Sequence, residues 1–182
     1  MRGRRYKLLA GCFCSWMFAL PLLGETPPQE PGLPLPSSTR LVWVAHATGF
    51  QVYKAQAPAE SPSTLRWTFQ EPEATLQDSA GTRIGRHFRG PSWEAADGSR
   101  IVGSAPPLAQ AAGSPAAIPW LLIEVRGTGA PGILSGVTYV LRVGTAGGTA
   151  PARPPSSAGE TVRVPYKAIY LFLAPAGEQR RP

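Results

Sequence analysis

Beyond residue 14 the sequence contains no cysteine; its only two, Cys12 and Cys14, lie near the N-terminus. The rest of the chain has no disulfide to staple it, no thiol nucleophile and no thiolate metal site. Charge is also scarce, at 16% of residues. Arg2, Arg4, Arg5 and Lys7 supply four of the seven net positive charges within a first 24 residues that hold no acid, which leaves +3 for the remainder. No basic cluster with interleaved aromatics follows, so nucleic acid is not an expected partner. No window shows a capped apolar period of 3.6 residues, which argues against helices. There is no G-x-G-x-x-G turn leading into a helix, and no cofactor is expected. Ser92 and Ser99 lack a nucleophile elbow, because "GPSWE" is not G-x-S-x-G.

What is present begins with a charged start, "MRGRRYK", followed by an apolar run from Leu8 to Leu23. Positive charge held on the cytoplasmic side of a short apolar helix is the pattern of an export signal. Residues 1–24 therefore read as a signal peptide cut near Gly24, and the protein as secreted or periplasmic. The run is short for a spanning helix and carries Pro21. An uncleaved membrane anchor is the alternative. "LAGC" at Leu9–Cys12 matches a lipidation box, although the apolar run continues well past Cys12. Membrane contact is expected only through this segment, if it stays uncleaved or is lipidated. Residues 25–38, "ETPPQEPGLPLPSS", are proline-rich and read as an extended tether. Residues 39–174 read as one β domain and 175–182 as a disordered tail.

From Leu41 the pattern is short and alternating. "LVWVAHATG" and "FQVYKAQA" read as a strand pair joined at Thr48-Gly49. "LRWTFQ" sets Leu65, Trp67 and Phe69 against Arg66, Thr68 and Gln70 at period two. "PWLLIEVRG" is apolar nearly throughout and predicts a strand buried on both faces. "GVTYVLRVG" sets Val137, Tyr139, Leu141 and Val143 against Thr138, Val140 and Arg142. "TVRVPYKAIYLFL" alternates through Tyr166, Tyr170 and Phe172, and Pro165 within it predicts an edge position, a strand start or a bulge. Residues 104–119 and 144–160 read as long loops. The fold class is all-β, an antiparallel β-sandwich or barrel with long Pro/Gly/Ala-rich loops.

The stretch "GRHFRGPSWEAADGSR", Gly85–Arg100, carries the densest chemistry. Turn signals at Asp78–Gly81, Gly90-Pro91 and Asp97-Gly98 make it part of a β-meander. Two-residue turns would set Phe88 opposite Trp93 and His87 opposite Glu94, then Glu94 opposite Ile101 and Trp93 opposite Val102. One face would hold Ile84, Phe88, Trp93 and Val102 as core. The other would bring His87 beside Glu94, a general base with a carboxylate to orient it. His87 and Glu94 are the candidate catalytic residues, and Arg89, Trp93 and Asp97 the candidate ligand contacts. On that placement His87→Ala would leave the fold intact. A metal site would need His46 to meet His87 and a carboxylate; no metal is expected.

The motif "GxHxxGPxWEAxDGS", met by Gly85, His87, Gly90, Pro91, Trp93, Glu94, Ala95, Asp97, Gly98 and Ser99, resembles the family catalogued as domain of unknown function 3455. Flanking segments such as "GFQVYKA", "WTFQEPEATLQD" and "GVTYVLRVGTAGGTAP" agree, so the resemblance runs from about Leu41 to Phe172. It implies an exported single-domain protein with no established activity. Relatives commonly carry one cysteine after the "QxY" segment and another after "GGxAP"; here neither region has one. The expected function is a non-catalytic module that binds a small ligand, a surface polymer or a protein. The alternative is a secreted hydrolase or isomerase using His87 and Glu94 as an acid/base pair.

Overall fold

Alternation and turn chemistry shape the computed structural model, which describes residues 32–177. The expected signal segment, the expected tether up to residue 31 and the expected tail beyond residue 177 lie outside the described residues. Nine strands form: β1 (Thr39–Gln56), β2 (Arg66–Gln77), β3 (Arg83–Phe88), β4 (Ser92–Ala95), β5 (Arg100–Gly103), β6 (Ala109–Ala111), β7 (Trp120–Gly127), β8 (Tyr139–Gly147) and β9 (Thr161–Pro175). No helix occurs among the described residues.

Each strand pairs antiparallel with its successor, except that β5 bypasses β6 to pair with β7, and β9 returns to β1. Eight strands thus close into an up-and-down barrel, and β6 lies outside the ring along the first half of β7. Of the two all-β architectures that the sequence allows, the barrel is the one formed.

β1 runs unbroken through Thr48-Gly49, where the sequence suggests a turn. Gly49 serves close approach instead. A Cβ there would overlap the Glu73 carbonyl oxygen and the Ala74 backbone of β2, so only glycine lets the two strands meet. Bulges near Trp43 and at Val52/Tyr53 coil this 18-residue strand around the ring. Pro165 lies just past the β8 ladder, which ends at Gly147 opposite Tyr166, so β9 has only β1 beside it there. That is the local edge that a proline requires.

Inside the ring, large side chains alternate with small ones. Trp43, Trp93, Tyr170 and Phe172 fill the space left by Ala45, Ala47 and Ala168. The β7–β8 connection folds under one end, where Leu134 is buried with Val137 and closes the barrel floor. The first half of β7 is covered on both faces, with Ile123 in the main core and Leu122 in an outer cluster with Leu141 and Leu173, whereas Glu124 and Arg126 leave the outer face of its second half exposed. Leu33 and Ala109 cover that outer cluster. The last residues of the proline-rich segment therefore pack on the barrel wall rather than only leading to it.

Candidate functional site

Both hairpins of the central meander use three-residue loops. The first loop is Arg89-Gly90-Pro91, with Phe88 opposite Ser92 and His87 opposite Trp93. The second is Ala96-Asp97-Gly98, with Glu94 opposite Arg100 and Trp93 opposite Ile101. Gly90 and Gly98 have φ of 133° and 84°, which a side chain would resist. One residue more per loop than a two-residue turn slips the register by one and exchanges the faces. The expected pairing of His87 with Glu94 is not made. His87 points into the barrel with Trp93 and Ile101, whereas Glu94 lies on the outer face in a bidentate pair with Arg86. Phe88 and Val102, expected in the core, leave it too; the Phe88 ring lies on the outside between the Arg86 and Arg100 guanidinium groups. Because both loops slip, β3 and β5 change face together relative to β4, and Trp93 on β4 is still fully buried.

The other candidates separate as well. Asp97 sits at the closed end, where Oδ1 accepts from the Ser99 backbone and hydroxyl and Oδ2 accepts from the Ile133 N–H. Those bonds, the Ser99 hydroxyl first, hold its carboxyl below the usual aspartate range. Asp97 is thus the clasp of the floor loop. Asp97→Ala is expected to speed amide hydrogen exchange at Ile133 and Leu134 well beyond that of β8 and β9. Equal protection in variant and parent would refute the clasp. His46 is exposed on the outer side of β1, so it cannot meet the inward His87. Among the described residues no three His, Cys, Asp or Glu side chains gather to hold a metal. Arg89 stands at the opposite, open end, tied to Glu71 by two hydrogen bonds.

That open end leads into a cavity of about 360 Å³. Phe69, Pro72, Pro91 and Leu121 make its apolar lining, with Arg89 also at its wall. Deeper in, it reaches Gln51, His87, Arg142 and Tyr170. These come from β1, β3, β8 and β9, each at an inward position set by alternation. Arg142 lies opposite both Leu121 and Tyr170, so its guanidinium enters the barrel. Its Nε and Nη2 both donate to the Pro119 carbonyl, at 3.1 and 2.9 Å, which fixes one edge of the fork. The four ion pairs among the described residues are Arg86–Glu94, Arg89–Glu71, Arg153–Glu160 and Arg163–Glu73, and none includes Arg142.

Three further polar groups are buried beside Arg142 without a well-formed hydrogen bond, Gln51 Nε2, Tyr166 Oη and Tyr170 Oη; Tyr166 nonetheless approaches Gln51 and Tyr170, and Tyr170 approaches Arg142. Burial raises both tyrosine pKa values, only partly offset by the Arg142 charge, so both remain O–H groups at ordinary pH. Tyr53 differs in that its hydroxyl donates to the Gly148 carbonyl at 2.7 Å.

His87 is buried and neutral. Desolvation lowers its pKa to about 3, opposed by the Ser92 carbonyl and assisted by Arg142. Nδ1 lies 2.8 Å from that carbonyl, which can only accept, so Nδ1 carries the proton and Nε2 keeps its lone pair. The ring stacks on Trp93 at 4.5 Å and meets the edge of Tyr170 at 5.0 Å. It is part of the core, which reverses the expectation that His87 is dispensable to the fold.

Gln51, Arg142, Tyr166 and Tyr170 are the residues that reading the sequence for catalytic motifs passes over. The available signal was an arginine within the apolar strand "TYVLRVG". No curated protein and no solved structure matches the chain. A family described as a protein of unknown function (DUF3455) matches residues 36–174, and the chain belongs to that family.

Proposed function

We propose that the protein is an exported binding module that holds a small molecule in the open end of its barrel without transforming it. The observation that carries this reading is the cavity itself, enclosed by the ring and floored by polar side chains that lack well-formed hydrogen bonds. Buried polar groups are costly unless something satisfies them, and a cavity beside them offers a place for what does. An eight-stranded barrel is just wide enough to hold one small ligand. An acid/base reading loses its carboxylate, because Glu94 is outside the wall that His87 lines from within.

The test is a thermal-shift panel of small organic acids, alcohols, amides and amines, run on the parent and on Leu121→Trp, whose indole would fill the apolar part of the cavity. At least one chemical class is expected to raise the parent's melting temperature by several degrees, as about 2.7 kcal/mol of binding at a hundredfold excess over Kd would. The variant should show no such rise. Shifts of equal size in both proteins, or a flat panel in the parent, would overturn the reading.

A further inference from the structure

Resting on that reading, we propose that the ligand is a small monocarboxylate with an apolar body, its carboxylate held by Arg142 with the Tyr170 hydroxyl and the Gln51 amide. The charge balance comes first. Arg142 is the one cation lining the deep part of the cavity, and no carboxylate of the described residues pairs with it. Arg142 is only partly buried, but its guanidinium faces the cavity without a counter-charge, and one negative charge supplied from outside would balance it.

The donors come second. The Pro119 carbonyl occupies only one edge of the guanidinium fork, and the remaining N–H groups match two carboxylate oxygens in geometry. Tyr170 and Gln51 line the cavity and each has a donor without a well-formed hydrogen bond, while Tyr166 lies behind them in contact with both. A carboxylate is the common small group that accepts from all of them and donates to none. A single arginine, with neutral His87 across the cavity, balances one charge rather than two.

Shape comes third. The rest of the lining includes Phe69, Pro72, Pro91 and Leu121, which can only pack against an apolar body. At about 30 Å³ per water the cavity of about 360 Å³ holds roughly a dozen heavy atoms. Benzoate and hexanoate are of that size.

Isothermal titration of the protein with benzoate, hexanoate, benzamide and inorganic phosphate decides the matter. Benzoate or hexanoate should bind at least about tenfold more tightly than benzamide and phosphate. Arg142→Gln should weaken the carboxylate about 30-fold while leaving benzamide unchanged, the loss expected for a charge-assisted contact. Tyr170→Phe provides an independent arm, since its hydroxyl has no well-formed hydrogen bond in the free protein. It should weaken the carboxylate about fivefold yet raise the melting temperature of the free protein by about 3 °C. Equal binding of benzoate and benzamide would overturn the carboxylate assignment but keep the small-ligand reading. Phosphate binding without benzoate would mean an inorganic oxyanion and also overturn it. If none of the four binds, this proposal fails; the fate of the small-ligand reading then rests on the other classes of the thermal-shift panel.

Discussion

Acidification from pH 7 to pH 4 is expected to cost the folded protein about 3 kcal/mol through His87 alone. The cause is the difference between its pKa of about 3 in the barrel and its ordinary 6.5 in the unfolded chain. Below pH 6.5 the unfolded state takes up a proton that the folded state refuses, so protons favour unfolding. The contribution is fully present above pH 6.5 and is lost as pH falls toward 3, at up to about 1.4 kcal/mol per pH unit. Burial is the main cause, Arg142 adds to it, and the Ser92 carbonyl opposes it. Urea unfolding at pH 7, 5.5 and 4 measures the slope, and His87→Phe isolates it. Phenylalanine keeps a ring against Trp93 but cannot titrate. Glu71 and Asp97, whose carboxyl pKa values are lowered by their own partners, contribute equally to both proteins and cancel in the difference. Parallel pH profiles for parent and variant would mean that His87 is charged or exposed in the folded state.

Trp93→Ala is expected to remove about 4 kcal/mol, enough to unfold a marginally stable domain at moderate temperature. Trp93 is fully buried at the centre of an aromatic group in which His87 stacks on it and Tyr170 and Phe172 meet it edge-on at 5.5 and 6.3 Å. Truncation would leave a cavity that the rigid ring cannot collapse around, so the transfer and cavity costs add. Trp93→Phe should cost far less, because the indole N–H has no partner to lose. Chemical unfolding at pH 7 tests both. A loss under about 1.5 kcal/mol for the alanine variant would show that this part of the barrel repacks.

The strands and their alternation were legible because each is long enough for period two to show and is bounded by turn residues. Burial of the first half of β7 on both faces follows from its apolar run Trp120–Ile123, which ends at Glu124. Three features were not legible, each for a physical reason. A glycine within alternating apolar residues marks a turn or a close strand crossing equally well, and Gly49 is the second. Hairpin register depends on whether a loop takes two residues or three, and both central loops take three, which moved His87 from the outer face to the core. Finally, period two separates the two faces of β8 without saying which is inward, since Tyr139, Leu141 and Val143 on one side are as apolar as Val140 on the other. The outer side is apolar because Leu33 and Ala109 cover its cluster. With the inner face unidentified, nothing in the pattern places Arg142 inside the barrel.

The closure of β9 onto β1 has a consequence for how the chain reaches this state. The seam pairs Thr39 with Pro175 and Lys54 with Thr161, joining the first strand of the barrel to the last. Until residues 161–175 arrive, β1 and β8 each present a long unpaired edge, and the cavity has no back wall. Such a distant pairing makes folding slow for a chain of this size. The ring therefore protects its edges only once the whole domain is present, so a chain that crosses a membrane before folding reaches closure only on the far side.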